Sequence, residues 1–182
     1  QLWDVHPNFA TCLNNLAELY HKLNRHDEAE SLYKKSIIIL KKNLGDNHPH
    51  IAGGLNNLAE VYRSLGRHSQ AEAHYKESLT ICENNIEDNF TVAVTSLNNL
   101  AELYKEMGNY REAEHLYLRA IEKWRNNLHD NHKIHYLQAS FLKFLLSAFQ
   151  NGQGNQISEH PLTQSFLKKP RDMGLVPRDN SL

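Results

Sequence analysis

The sequence is poor in cysteine, has no excess of either charge and contains no long apolar run. Its 20 Lys and Arg residues are matched by 21 Asp and Glu residues, so no positive surplus could neutralise nucleic-acid phosphates or an anionic membrane. No apolar stretch approaches the roughly 20 residues that span a bilayer, and no signal peptide opens the sequence. We therefore expect a cytoplasmic protein with no nucleic-acid or membrane partner.

Disulfide pairs and recognisable catalytic motifs are also missing from the sequence. Cys12 and Cys82 are far apart and fall at apolar helical positions, which predicts small core residues in a reducing compartment. There is no nucleophile elbow, no phosphate-binding loop and no ordered Ser, His and Asp set. The sequence therefore predicts no enzyme activity and no cofactor.

Histidine is abundant, with 12 residues, and its clusters raise the question of a metal site. The candidates are His48 with His50, and His129 with His132 and His135. Both groups fall at junctions between a loop and a helix, without the neighbouring Cys or carboxylate ligands of a zinc signature. We expect no metal site.

One eight-residue stretch occurs three times in nearly the same form. LNNLAELY lies at residues 13–20 and 97–104, and LNNLAEVY at residues 55–62, so the repeat has a period of 42 residues. Self-similarity at such a period marks stacked structural repeats. Because LWDVHP near the start aligns with LGDNHP at residues 44–49, we expect the chain to open inside the closing loop of an earlier unit and to be a piece of a longer protein.

Each repeat unit is predicted to contain two helices joined by a short turn. The first helix of unit one carries an apolar stripe at helical spacing, formed by Leu13, Leu16, Ala17, Tyr20 and Leu23. Asn24, Gly66 and Gly108 then fall where this helix should end, and Asn and Gly accept the left-handed conformation needed there. The second helix alternates small residues with Tyr, which lets helices approach closely. His6-Pro7 and His48-Pro49 are expected to open the first helices of units one and two.

These units resemble tetratricopeptide repeats (TPR), in the 42-residue form typical of kinesin light chains. The residues that carry the resemblance are Leu16, Ala17, Tyr20, Ala29, Tyr33, Gly66 and Ala120. The resemblance implies an all-α fold: a right-handed superhelix of stacked helix-turn-helix TPR hairpins with a C-terminal capping helix. It also implies that the first helix of each hairpin lines a concave groove that holds an extended peptide.

The 42-residue period predicts where the units begin and end. Residues 1–5 would end a preceding repeat, residues 6–47, 48–89 and 90–131 would form units one to three, residues 132–150 would form a degenerate fourth unit that supplies the capping helix, and residues 151–182 would form a tail that is disordered or loosely docked.

The Asn pair of each repeat is predicted to face the groove. At about 100° per residue, Asn14 and Asn15 turn away from the stripe of Leu13, Leu16 and Ala17. A carboxamide both donates and accepts hydrogen bonds, which suits a peptide main chain. The predicted ladder consists of Asn14, Asn15, Asn56, Asn57, Asn98 and Asn99, and the resemblance implies main-chain contact for its second members, Asn15, Asn57 and Asn99. The alternative is that Asn bonds to the neighbouring repeat and only sets the superhelical pitch.

Charged and aromatic residues complete the predicted peptide-binding set. The charged members are Glu18, Lys22, Glu60, Arg63, Glu102 and Lys105, and the alternative for them is ordinary surface ion pairing along each helix. Phe141 and Phe144 fall at the unit-four places of Asn15 and Glu18, which predicts an aromatic end to the groove. This aromatic pair could be covered by a ligand side chain, by a second protomer or by the tail through Leu162, Phe166 and Leu167; we favour the tail.

The sequence thus predicts a protein-protein interaction module that binds extended peptide segments of partner proteins, as a kinesin light chain-like adaptor or scaffold. The alternative is a structural or regulatory TPR array that mediates self-association or intramolecular regulation in a larger protein.

Overall fold

The computed structural model describes residues 6–84, 90–125 and 132–172. The α-helices in these ranges are α1 (Pro7–Lys22), α2 (His26–Leu44), α3 (Pro49–Ser64), α4 (His68–Asn84), α5 (Phe90–Glu106), α6 (Tyr110–Arg125), α7 (His132–Gln150) and α8 (Pro161–Asp172), with a short 3-10 helix at Gly154–Gln156. No strand occurs in the described ranges. The chain divides into two compact units, Gln1–Asn99 and Leu100–Leu182.

The first unit is built from consecutive antiparallel helices. Helix α1 packs on α2, α3 packs on α4, and α2 also packs on α3, so that successive hairpins contact each other. The predicted starts at Pro7 and Pro49 are confirmed, and in both cases the preceding His caps the helix: Nδ1 of His6 accepts from the backbone N–H of Asn8, and Nδ1 of His48 accepts from that of His50. Each His-Pro pair therefore sets the first residue of a helix.

The predicted turn residues adopt the left-handed conformation. Asn24, Gly66 and Gly108 have φ angles of 58°, 70° and 79°. The residue after each one donates its N–H back to the carbonyl of a helix Tyr, as Arg67 does to Tyr62 at 2.9 Å. This bond satisfies a carbonyl that the helix end leaves free. The turn prediction is confirmed at all three positions.

The core of the first unit alternates Ala with Tyr. Ala17, Ala29 and Ala59 have no exposed surface, and Tyr33 and Tyr62 are almost fully buried beside them. The Ala positions let the helix backbones approach closely, and the Tyr rings fill the remaining space. This pattern confirms the small and aromatic core predicted for the second helices.

Three residues in or directly after α1 are exposed, although the sequence predicts that they are buried. Leu16 and Leu23 are 40% and 57% exposed, and Cys12 is exposed as well. Leu58, which is equivalent to Leu16 in the next repeat, is only 2% exposed because α2 packs on α3. No helix precedes α1 in the described part of the chain, so nothing there covers this face. The position predicts burial only when a preceding hairpin is present.

The second unit contains a C-terminal helix that the sequence reading did not predict. Residues 151–182 were expected to be disordered or loosely docked, but residues Pro161–Asp172 form α8, which packs on α7 and buries Leu167. Residues 173–182 lie outside the described residues. The start of α8 could have been found in the sequence, because His160-Pro161 repeats the two earlier His-Pro pairs, and Nδ1 of His160 accepts from the N–H of Leu162 at 3.3 Å.

A buried carboxylate on α6 holds the segment that leads into α8. Glu114 is 1% exposed and accepts hydrogen bonds from the N–H of Ser158 at 2.7 Å, from the Ser158 hydroxyl at 2.8 Å and from the Thr163 hydroxyl at 2.5 Å. Hydrogen bonds to a buried charge are stronger than neutral ones, and losing them leaves the charge unsatisfied. We infer that Glu114 fixes the position of α8.

Replacing Thr163 with Val tests this attachment, because the change keeps the side-chain shape and removes one donor to the buried carboxylate. We expect the opening free energy of α8, measured by native-state hydrogen exchange of its amides, to fall by about 1.5–3 kcal/mol. Ser165→Ala, at an exposed position of the same helix, is the control and should leave it nearly unchanged. Equal effects of the two substitutions would show that Glu114 does not hold the helix.

Candidate functional site

The first Asn of the second repeat is a stacking residue in the structure. Asn56 is only 6% exposed, and its Oδ1 accepts from the Ser96 hydroxyl at 3.1 Å and from Nδ2 of Asn99 at 3.3 Å. Ser96 in turn lies 3.0 Å from the hydroxyl of Ser78. Asn56 therefore links its own repeat to α5 through a buried polar network, as the alternative reading of the Asn pair proposed.

The remaining Asn residues of the ladder lie in different environments. Asn98 is 4% exposed, and no described group donates to its buried Oδ1. Asn15 is exposed, whereas Asn14, Asn57 and Asn99 are half-buried. Within the described ranges, no hydrogen bond satisfies the side chains of Asn14, Asn15 or Asn57. The six positions thus separate into buried amides and amides that remain accessible to a ligand.

Asn14 and Asn57 meet at a cavity of about 350 Å³ in the first unit. The cavity lies between the helices of the first hairpin and α3, and its lining also includes Ser36, Gly53 and Gly54. Asn15 is not part of this lining. The structure therefore brings together two of the predicted amides from different repeats. Asn15, which was predicted to contact the peptide main chain, lies apart from them.

The predicted charged residues all have partners on their own helices. Lys22 pairs with Glu18 at 2.6 Å, Arg63 with Glu60 at 2.9 Å, and Lys105 with Glu102. Glu60 also accepts from the hydroxyl of Tyr75, and Glu102 from that of Tyr117. These contacts match the surface-pair alternative, since each acidic group is already engaged within its own hairpin.

The hydroxyl of Tyr75 is held in the neutral form. Burial raises the pKa of Tyr75 far above its usual value, and the neighbouring Glu60 carboxylate raises it further. Burial also raises the pKa of Tyr33, with a smaller contribution from Glu18. The Tyr75 hydroxyl therefore remains a donor to Glu60.

Phe141 and Phe144 do not form an exposed end of a groove. Both side chains have no exposed surface, because they lie inside the second unit among the rings of α6 and α8. The ring centroid of Phe144 is 5.1 Å from that of Tyr117, and Phe166 meets Phe141 edge-on at 5.3 Å. The prediction that they present a binding surface is therefore wrong, whereas the contact with the tail was anticipated correctly.

The described residues form neither a metal-binding cluster nor a membrane-spanning helix. Within 6–84, 90–125 and 132–172, no group of three or more His, Cys, Asp or Glu side chains could hold a metal ion. None of the helices described there has both the length and the apolar composition needed to cross a bilayer. His129 lies outside the described residues, and His132 has no described side chain.

The helical hairpins repeat every 42 residues and stack through small buried residues. This architecture defines a helical-repeat protein, a class that presents extended surfaces for binding other proteins. Family models described as tetratricopeptide repeat match residues 8–84 and 94–132, which together exceed half of the chain. The chain belongs to the tetratricopeptide repeat family. This fold mediates protein-protein interactions and is not an enzyme fold.

Solved structures show the same fold at low sequence identity. The chain is 21% identical to BtubC (BKLC) from P. vanneervenii, with a TM-score of 0.70 over 93% of this chain, and it spans 65% of that protein's length. It is 20% identical to the kinesin light chain nearly identical TPR-like repeats of Podosopora anserina, with a TM-score of 0.66 over 93% of this chain and 76% of that one. The N-terminal domain of stress-induced protein-1 from C. elegans is 13% identical, with a TM-score of 0.54 over 74% of this chain and 95% of that one. Comparison with curated proteins gave no match.

Asn56→Ala tests the division of the Asn residues into stacking and accessible members. The substitution removes the acceptor of Asn99 and leaves the buried Ser96 hydroxyl with the Ser78 oxygen as its acceptor, so we expect equilibrium urea unfolding to show a loss of about 1–3 kcal/mol. Asn15→Ala, at an exposed position of the equivalent pair, should stay within about 0.5 kcal/mol of the parent. A similar small effect of both substitutions would refute the stacking role of Asn56.

His21 gives the first unit a pH-dependent stability. Burial lowers the pKa of His21 below 6.5, and the nearby His26 and Arg63 lower it further against the opposing effects of Glu60 and Glu18. Since the unfolded chain takes up this proton more readily than the folded chain, the folded state should lose stability as pH falls below about 6.5.

Urea unfolding at pH values of about 7.5 and 5.5 measures this loss, and His21→Gln should reduce it. The control is His115→Gln at an exposed position of α6, which should retain the full loss. If His21→Gln loses as much stability as the parent between the two pH values, His21 is not the source.

Proposed function

We propose that the chain binds an extended segment of a partner protein through the accessible amides of its first helices, as an adaptor or scaffold of the kinesin light chain type. The observation that carries this proposal is the half-buried Asn57, whose side chain has no hydrogen-bond partner among the described residues and lies beside Asn14 in a cavity. Amides in such a position can donate to and accept from a peptide main chain, whatever its sequence.

The charge pattern supports a partner segment that is not selected by charge. Glu18 and Glu60 are each paired with a cation on the same helix, so neither presents an uncompensated charge to a ligand. The Glu18 pair is exposed, and exposed pairs contribute little energy, whereas the half-buried Glu60 is also held by the hydroxyl of Tyr75. We therefore propose main-chain recognition as the source of affinity, with side-chain preference set by the shape and polarity of individual cavities.

Asn57→Ala tests the proposal. A peptide is first selected from a bead-displayed random library on the intact chain, and its dissociation constant is measured by fluorescence anisotropy. Loss of one or two amide hydrogen bonds should weaken binding about three- to tenfold. Lys42→Ala, at an exposed position of α2, is the control and should bind like the parent.

Two results would contradict the proposal. One is failure of the intact, folded chain to select any peptide. The other is a selected peptide whose affinity is the same for Asn57→Ala and for the parent, which would place binding elsewhere on the chain.

A further inference from the structure

The first unit contains two equivalent junctions between successive hairpins, and they differ in one buried hydroxyl. In the second junction, the Ser78 hydroxyl donates to the carbonyl of Ala52 and contacts the hydroxyl of Ser96. Ser96 donates to Oδ1 of Asn56, and this oxygen also accepts from Nδ2 of Asn99. These groups form a continuous hydrogen-bonded chain from α4 to the accessible surface of α5. Oδ1 of Asn56 and Nδ2 of Asn99 are thereby paired within the protein.

The first junction keeps the flanking members of this chain and lacks its centre. Ser36 donates to the carbonyl of Ala10 at 2.7 Å, just as Ser78 donates to Ala52, and Asn14 and Asn57 stand where Asn56 and Asn99 stand 42 residues later. The position of Ser96 is Gly54. A glycine brings no hydroxyl, so nothing there joins Ser36 to Asn14.

The space beside Gly53 is open, whereas Ile37 lies close to Gly54. Gly53 replaces Thr95, and a Cβ built on Gly53 would have no heavy atom within 4 Å. A Cβ on Gly54 would lie 3.1 Å from Cγ1 of Ile37, whereas the second junction has Leu79 at the place of Ile37. Two adjacent glycines weaken a helix, so their presence in α3 needs a compensating reason. The space that they leave is the cavity of about 350 Å³.

The lining of the cavity defines the chemistry of a group that it could hold. It contains no Asp, Glu, Lys or Arg; its polar members are Thr11, Asn14, Ser36, the exposed His50 and Asn57, and its apolar members include Leu40 and Val92. A cationic group would find no carboxylate there and an anionic group no Lys or Arg, and a purely apolar group would leave the amides unpaired. A neutral group that both donates and accepts would satisfy Asn14 and Asn57 together.

We propose that this cavity is a side-chain subsite for a neutral hydroxyl- or carboxamide-bearing residue of a bound peptide, such as Gln or Thr. The ligand group takes the place that the Ser96 hydroxyl occupies in the second junction. The subsite rests on the proposed peptide-binding function and adds a preference at one position of the ligand.

Nuclear magnetic resonance titration of the isotope-labelled chain with small capped residues tests the subsite without a known partner. The probes are the N-acetyl, N-methylamide derivatives of Gln, Glu and Leu, which share the same backbone amides and differ in the side chain. The Gln probe should shift the amide resonances of Gly53 and Gly54 and the side-chain amide of Asn57. The Glu and Leu probes should bind there at least about tenfold more weakly.

Gly54→Ser provides the matched variant, because it copies the residue of the second junction. Its hydroxyl should bridge Ser36 and Asn14, so the Gln probe should no longer shift the resonance of Asn57. The tight contact with Ile37 could prevent this variant from folding, which circular dichroism would show. In that case the double variant Gly54→Ser, Ile37→Leu is used, because it reproduces both residues of the second junction. Equal binding of the three probes, or unchanged Gln binding in the folded variant, would overturn the subsite.

The result also separates this inference from the proposed function. A chain that binds a library-selected peptide through Asn57 but shows no difference between the Gln and Glu probes retains main-chain recognition and loses the subsite. Loss of peptide binding together with normal discrimination between the probes would refute the peptide-binding function and leave a small polar binding site.

Discussion

The hairpins bury polar groups that the next segment of the chain helps to satisfy, and the rest of the structure depends on this requirement. Glu30 on α2 is largely buried and accepts hydrogen bonds from Tyr62 at 3.1 Å and Arg67 at 2.9 Å, both from the following hairpin. Burial alone would raise the pKa of Glu30, but the bonds from Lys34 and Tyr62 outweigh it and lower the pKa. If the next hairpin still covered Glu30 but lacked these two donors, the carboxylate would keep only the bond from Lys34 on its own helix, at a cost of about 1–3 kcal/mol.

The same requirement accounts for the contacts that α8 and the segment before it make with the third repeat. Glu114 occupies the place of Glu30 two repeats later, but the position of the Tyr62 hydroxyl in the next unit is Leu146. Ser158 and Thr163 supply the missing donors. The segment leading into α8 and α8 itself therefore contact α6 through hydroxyls and α7 through apolar groups.

Much of the fold follows from the sequence because its 42-residue period fixes the helices, turns and starts independently of distant contacts. Asn24 and Gly66 identify helix ends by their backbone conformation alone, and Pro7 and Pro49 identify starts. The burial of a side chain, in contrast, depends on contacts with other segments of the chain. The repeat pattern places Leu16 in a core and Phe141 on a surface, but the first lacks a covering helix in the described part of the chain and the second is covered by α8. Both depend on neighbours that the period does not specify.

The Asn pair shows the same limit at the level of the candidate site. Helical geometry places both amides on the face away from the hairpin core, but it does not determine whether a neighbouring repeat forms hydrogen bonds with them. Asn56 is engaged in stacking because Ser96 and Asn99 donate hydrogen bonds to its Oδ1. Asn14 is left accessible because Gly54, at the place of Ser96, has no side chain that could bond to it. The role of each Asn is therefore set by the residue that faces it one repeat further along the chain. An identical motif can be used for stacking in one junction and left accessible in the next.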